Sequence, residues 1–259
     1  MRIDLNLIMK KPFAVLAVMA CFIISGPVRG QAPDSSKKYK VYLEPYLIAP
    51  ALSGTVGVGN LPNTFICVPA GKLFSYFKIG GMLYAEVHND RWAFTTDVFY
   101  ASLEENASSK NGIIGGTATV KQLIWEVEGL RRLNPWLEAG IGARINSIQN
   151  GINIVKTGNA LFTGEATNTW VDPLIVVRLS KWVENKWLFS LRADIGGFGL
   201  ASQFAWQLQP NVYFRASRLL QIGLGYRALS TDYSHGSGSE RFVYDMDEYG
   251  PVLRIGFNL

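Results

Sequence analysis

The segment Phe204-Ala205-Trp206-Gln207-Leu208-Gln209-Pro210-Asn211-Val212-Tyr213-Phe214-Arg215 alternates without a break. Phe204, Trp206, Leu208, Pro210, Val212 and Phe214 share one parity, and Ala205, Gln207, Gln209, Asn211, Tyr213 and Arg215 share the other. Successive side chains of a strand point to opposite faces, so the segment has one greasy face and one polar face. Leu220, Ile222, Leu224 and Tyr226 repeat the pattern against Gln221, Gly223, Gly225 and Arg227. The chain then closes with Leu253, Ile255, Phe257 and Leu259 against Val252, Arg254, Gly256 and Asn258. A soluble half-buried sheet also alternates. Here the large aromatics lie in the apolar set and the polar set is small or hydrogen-bonding, as a closed barrel in lipid requires.

The same alternation runs back to Tyr39. It predicts strands at about Val41–Pro50, Leu73–Val87, Arg91–Ser102, Thr117–Leu130, Trp136–Ile148, Asn168–Ser180 and Trp187–Phe198, before the three just quoted. Short connections at His88–Asp90, Arg131–Pro135, Lys181–Lys186 and Ser217-Arg218 alternate with long polar ones. The long ones are Ala51–Lys72, Leu103–Gly116, Gln149–Thr167 and Thr231–Tyr249. Outer-membrane barrels have an even strand count, short periplasmic turns and long external loops. The expected fold is therefore all-β, a transmembrane antiparallel up-and-down β-barrel of ten strands, with eight as the alternative. Lys121 shares the parity of Leu123, Trp125 and Val127, and is expected near the outer boundary, where its long side chain reaches water.

Met1–Gly30 reads as a signal peptide. Arg2, Lys10 and Lys11 are basic, Pro12 to Ser25 is apolar, and Val28-Arg29-Gly30 is a cleavage site. Residues 31–40 are expected to be a periplasmic tail and 41–259 the barrel. The formal net charge of +5 comes mainly from this leader, whose four bases outweigh Asp4 and leave about +2 for the rest. A basic footprint for nucleic acid is absent. Beyond the leader only Cys67 remains, so no intramolecular disulfide forms there. No metal-ligand spacing or phosphate-binding loop is recognisable, and no cofactor is expected.

On this register the inner face collects acids at Glu44, Glu86, Asp97, Glu126, Glu128, Glu138, Asp172 and Asp194. It collects bases at Lys78, Arg144, Arg178, Arg192, Arg215, Arg227 and Arg254. Near-balanced charge in a narrow barrel suits a paired network filling the lumen, with Tyr76, Tyr84 and Tyr213 in the remaining volume. A conducting path is the other reading. Trp92, Trp187, Trp206 and Tyr226 lie on the outward parity and are expected at the membrane interfaces. Phe257 and Leu259 would form the terminal assembly signal, and partners would be outer-membrane lipid, lipopolysaccharide and the barrel-assembly machinery.

Trp170-Val171-Asp172-Pro173 and Arg192-Ala193-Asp194-Ile195-Gly196-Gly197-Phe198-Gly199 are followed by Ser202, Trp206-Gln207, Gly225-Tyr226-Arg227 and Gly250-Pro251. Read together, these resemble a family of largely uncharacterised bacterial outer-membrane β-barrel proteins, small and porin-like. The resemblance covers about Tyr39–Leu259 and implies location and architecture, not a reaction. The expected role is structural or porin-like, with an unknown solute. Two alternatives stand beside it. His235, Ser237 and nearby Glu240 are faintly similar to the His and Ser of outer-membrane lipid A deacylases, an esterase-like chemistry with His as base and Ser as nucleophile. The long connections also suit an adhesin or receptor.

Overall fold

The structure is a computed structural model that describes residues 39–108, 114–156 and 159–259. The proposed signal peptide, residues 1–30, and most of the proposed tail lie outside the described residues. Among the described residues no helix is long and apolar enough to cross a membrane.

Among the described residues there are twelve strands: β1 (Lys40–Ile48), β2 (Ala51–Val58), β3 (Thr64–Val68), β4 (Phe77–His88), β5 (Trp92–Ser108), β6 (Ile114–Asn134), β7 (Leu137–Lys156), β8 (Asn159–Val183), β9 (Trp187–Gly196), β10 (Phe204–Arg215), β11 (Leu220–His235) and β12 (Phe242–Asn258). A helix of about two turns, α1 (Ala70–Tyr76), joins β3 to β4. The ring runs β1-β4-β5-β6-β7-β8-β9-β10-β11-β12, and β12 pairs back onto β1, giving a closed antiparallel ten-strand barrel. The two remaining strands prolong it: β2 continues β1 along the upper half of β12, and β3 pairs with β2.

Four tight turns mark one end, which also holds Tyr39 and Leu259. Asn89 Oδ1 accepts from the Arg91 and Trp92 N–H groups, Asn134 Oδ1 from Trp136, and Ser217 Oγ from Leu219 and Leu220. Glu184 and Asn185 both take positive φ in the three-residue turn between the paired Val183 and Trp187, where the Lys186 N–H donates to the Val183 carbonyl at 3.2 Å. The four turns thereby fix register on the termini side.

The outward face is apolar over a belt. Leu253, Ile255 and Phe257 of β12, Ile222 and Leu224 of β11, and Val212 and Phe214 of β10 are all exposed. The belt ends sharply toward the far end. Ile145 pairs with Val171, but the next outward pair is Ser147 with Thr169, joined hydroxyl to hydroxyl at 2.9 Å. Lys121 stands in this polar zone, opposite Ser102 and Gln149. Backbone groups facing lipid need partners in the sheet, and the ring provides them along nine of its ten seams and part of the tenth, β1–β4.

Above the belt the ring divides. β9 stops at Gly196, and β10 begins at Phe204, opposite Asp232 of β11. Beyond them β8 pairs with β7 alone and β11 with β12 alone. On the other flank β3 pairs with β2 alone and the top of β5 with β6 alone. The upper sheet is therefore two four-stranded walls, β5-β6-β7-β8 and β11-β12-β2-β3.

Ala51–Lys72, Leu103–Gly116, Gln149–Thr167 and Thr231–Tyr249, expected as loops, are thus largely strand. Outside the belt the outward face meets water, so Thr, Asn, Gly and Ser replace apolar residues and the alternation fades while the ladder continues. Leu73–Tyr76, expected as the start of a strand, is instead the end of α1.

Candidate functional site: a crossed lumen and a two-walled cleft

At the turn end of the lumen, Arg178 joins β8 to β4 and β7. Its guanidinium donates to Glu86, to Tyr84 Oη at 2.9 Å and to Glu138 Oε2 at 2.6 Å. Arg132, not foreseen in the lumen, donates twice to Glu138 Oε1, at 3.1 and 3.0 Å. Beside them Glu44 takes Arg254 Nη1, Tyr42 Oη at 2.5 Å and Tyr213 Oη at 3.4 Å. Two of these tyrosines lie flat on glycines: a methyl at Gly256 would overlap the Tyr42 hydroxyl, and one at Gly223 would overlap the Tyr213 ring.

Glu126 is the hub of the middle. Arg144 Nε donates to it at 2.7 Å, Arg192 Nη2 at 2.9 Å and Arg227 Nη2 at 3.5 Å. Arg144 also donates to both oxygens of Asp194, at 2.9 and 3.0 Å, and Arg192 takes Glu128 and Asp194 as partners. Arg144 and Asp194 side chains are 0% exposed. Arg227 donates to Gln207 Oε1 at 2.8 Å and to Tyr46 Oη at 3.3 Å, and Tyr46 passes its own proton to Asp97 at 2.7 Å. β6 and β11 stand five places apart in a ring of ten, so Glu126–Arg227 crosses the full diameter.

Removing one member of such a set leaves a buried charge without compensation, which is the expensive event. The polar wall of β10 completes this level with Gln207, Gln209 and Asn211, all buried. Gln207 Nε2 and Gln209 Nε2 find no protein acceptor among the described residues.

Two expected members lie elsewhere. Lys78 sits at an irregularity of the β4–β5 register between Phe77 and Ile79, which turns it out of the lumen. It is 59% exposed and pairs with Glu104. Arg215 lies at the turn-end rim, its guanidinium 3.8 Å from the Trp182 ring centroid, a cation–π contact in place of a carboxylate. Asp172 is fully buried but meets no arginine. Ser202 N–H and Oγ reach it at 2.9 and 2.8 Å, Trp170 Nε1 at 3.1 Å and Asn146 Nδ2 at 3.2 Å. It ties the β9–β10 connection to β8. Tyr76 closes α1 and fills no lumen volume.

Above the charges lies an apolar layer of Tyr46, Ile48, Phe99, Ala101, Ile124, Leu229 and Val252. Its void, edged by Pro50, Arg227 and Glu248, measures about 10 Å³, at the limit for one water. Higher still, Gln122 Nε2 donates across to Glu248 and Tyr244 Oη donates to Glu248 at 2.7 Å. Trp170 of one wall stacks on Tyr233 of the other, centroids 4.1 Å apart and 4° from parallel, with Phe242 and Tyr244 against it. This aromatic group is the floor of a cleft between the two walls. Past it the inward residues are open: Val120 and Ile152 on one side, Val58 on the other.

The sequence signal for Glu248 was its parity with Arg254. Ser202 and the Trp170 stack had no local signal, because they are made by distant strands. Trp92 and Trp187 face outward near the turn end, and Trp206 faces outward beside Ser230 at the belt's upper edge. Tyr226 faces outward opposite Pro251. Phe257 and Leu259 are outward and exposed on the terminal strand. His235 is the last paired residue of β11 and Ser237 follows Gly236; both are exposed, and no side-chain hydrogen bond joins them to each other or to Glu240, whose backbone N–H donates to the Ser237 carbonyl at 3.2 Å.

No family model matches the chain, and no curated protein sequence does. Solved structures align with it at low identity and low structural similarity. The outer membrane protease OmpT from Escherichia coli aligns over 87% of this chain and 99% of its own, with a TM-score of 0.47 and 6% identity. Ail, the attachment invasion locus protein of Yersinia pestis, aligns over 86% and 99%, with a TM-score of 0.33 and 8% identity. The P. putida toluene transporter TodX aligns over 88% and 91%, with a TM-score of 0.32 and 8% identity. The three differ in what their names say they do.

Proposed function

We propose that this protein is a closed outer-membrane barrel that works as a surface receptor or adhesin, holding a macromolecular ligand between its two upper walls. The observation that carries the reading is the division of the sheet. Eight strand segments rise past the belt as two four-stranded walls, and the space between them ends on a sealed aromatic floor. A diffusion pore needs an unobstructed lumen, and here side chains meet across it from Arg178 up to Trp170. The charged lumen then serves as a rigid filling that keeps the belt round while the walls stand free.

The test has two arms. Refolded protein in planar bilayers is expected to be silent; steady openings would favour solute passage. Cells displaying the protein are screened on arrays of proteins and glycans beside a variant carrying Val120→Glu and Ile152→Glu. Binding that the variant loses, with surface display unchanged, supports the cleft; equal binding by both counts against it. For the lipid A alternative, His235→Ala is expected to leave the lipid A mass spectrum unchanged, since the His and Ser at that hairpin tip are not joined.

A further inference from the structure

Between β1 and β4 the ring is paired only from Lys40↔His88 to Pro45↔Leu83. Both strands then continue without each other. β1 keeps β12 as far as Ile48↔Val252, and β4 keeps β5 as far as Phe77↔Leu103. Pro45 has no N–H, so the ladder loses its donor at the point where it stops. The result is a lateral split in the wall. It opens in the upper part of the belt: Leu47 is level with Leu253 on one side, and on the other the split starts above Leu83, level with Val98, and rises to Ile79, level with Ser102.

The lips of the split are apolar. Leu47 is 67% exposed and Ile79 is 61% exposed, with Phe77 and the bare backbone of Gly80 and Gly81 between them. Higher up, α1 lies across the opening with only Leu73 buried, and without a side-chain cap at its start. Immediately behind the split is the apolar layer of the lumen, where Tyr46, Ile48, Phe99 and Ala101 pack with the half-buried Met82. That layer is bounded on the turn side by Arg227, Tyr46 Oη and Asp97, and on the far side by Gln122 and Glu248.

We propose that this split admits the hydrocarbon tail of an amphiphile from the surrounding lipid into the apolar layer. The occupant follows from the location. Whatever meets the lips at belt level comes out of lipid, and the space behind them is apolar between two polar boundaries, so it accepts a tail and not a headgroup. The 10 Å³ void is far too small for a tail, so admission requires side chains to give way. Met82, unbranched and adaptable, stands at the threshold. The proposal is independent of the cleft reading, since it concerns the lipid-facing side.

The refolded full chain in nanodiscs, loaded with a palmitic acid analogue carrying a terminal diazirine, tests this. After irradiation, labelled residues are mapped by peptide mass spectrometry. Outward belt residues such as Val98 and Trp125 will label in any case and serve as the internal control. The proposal expects label also on the inward residues Phe99, Ile124 or Leu229, and loss of that inner label in Ala101→Phe, which fills the layer. Label confined to outward residues in the wild-type protein overturns it, as does inner label that survives the filling. Should Ala101→Phe not fold, Ile124→Phe is the second filling variant, and the wild-type map decides on its own.

Discussion

The belt and the walls above it are built from the same strands but hold together by opposite means. In the belt ten strands make the ring, ion pairs cross the lumen, and Glu126 takes three arginines. Above it the ring opens into two walls joined by stacked aromatics and by Gln122, which donates to Glu248 and to Tyr244 Oη. The solvent explains the difference. Lipid offers a strand edge nothing, so the edges there are paired except along the short β1–β4 split, whereas water satisfies a free edge at little cost. The belt is therefore rigid by necessity, and the walls are free to part.

The largest break in this comparison is expected from Glu126→Ala. It takes a carboxylate partner from three buried guanidinium groups, of which Arg144 keeps Asp194 and Arg192 keeps Glu128 and Asp194, and should lower stability by about 3 kcal/mol, read from urea titration of the heat-modifiable band. Trp170→Ala should act on the walls alone. A cost of about 3 kcal/mol is expected there, seen as faster amide exchange in the upper parts of β8 and β11 with the belt unchanged. Exchange that rises equally in both regions would show that walls and belt unfold together.

A smaller, stabilising effect is expected at Asp245. It points outward above the belt, directly opposite Asp232, and its carboxyl is held above the usual carboxylate range by partial burial, then by Asp232 and Asp247. An acid whose folded pKa is raised weakens the fold when ionised, and the penalty fades as pH falls through that pKa. Asp245→Asn should then gain about 0.2–1 kcal/mol at neutral pH, and the gain should vanish near about pH 3, where the carboxyl is protonated in both states. The smallest effect belongs to Lys78→Ala. Its exposed pair with Glu104 is worth about 0.2–1 kcal/mol at most, in contrast to every arginine of the lumen.

Parity made the belt legible. The residues of the opening segment fall on the faces that their alternation assigns, and Glu44, Glu126, Arg144, Arg192 and Arg254 all lie inside. Lys78 failed because a one-residue irregularity shifts everything counted through it, and no residue type announces that shift. The walls were hidden for a different reason. Alternation reports a difference between two solvents, and above the belt both faces touch water or a partly open cleft. Tyr233 and Phe242 were therefore read as loop although each is buried against Trp170. Which arginine meets which acid is a matter of ring geometry, and strand sequence carries no record of it.

The two tyrosines lying on glycines have a consequence for how the ring is sealed. A slip of one residue between neighbouring strands turns the barrel inside out and is excluded by patterning alone. A slip of two keeps every greasy side chain outside, so patterning is blind to it. When β12 meets β1 at closure, only Gly256 leaves room for Tyr42; two residues to either side stand Arg254 and Asn258, whose side chains fill the same place. Gly223 gives Tyr213 a second such socket between β11 and β10. The pairs act as index marks, letting the closing strand recognise the correct step among several that hydrophobicity would accept equally.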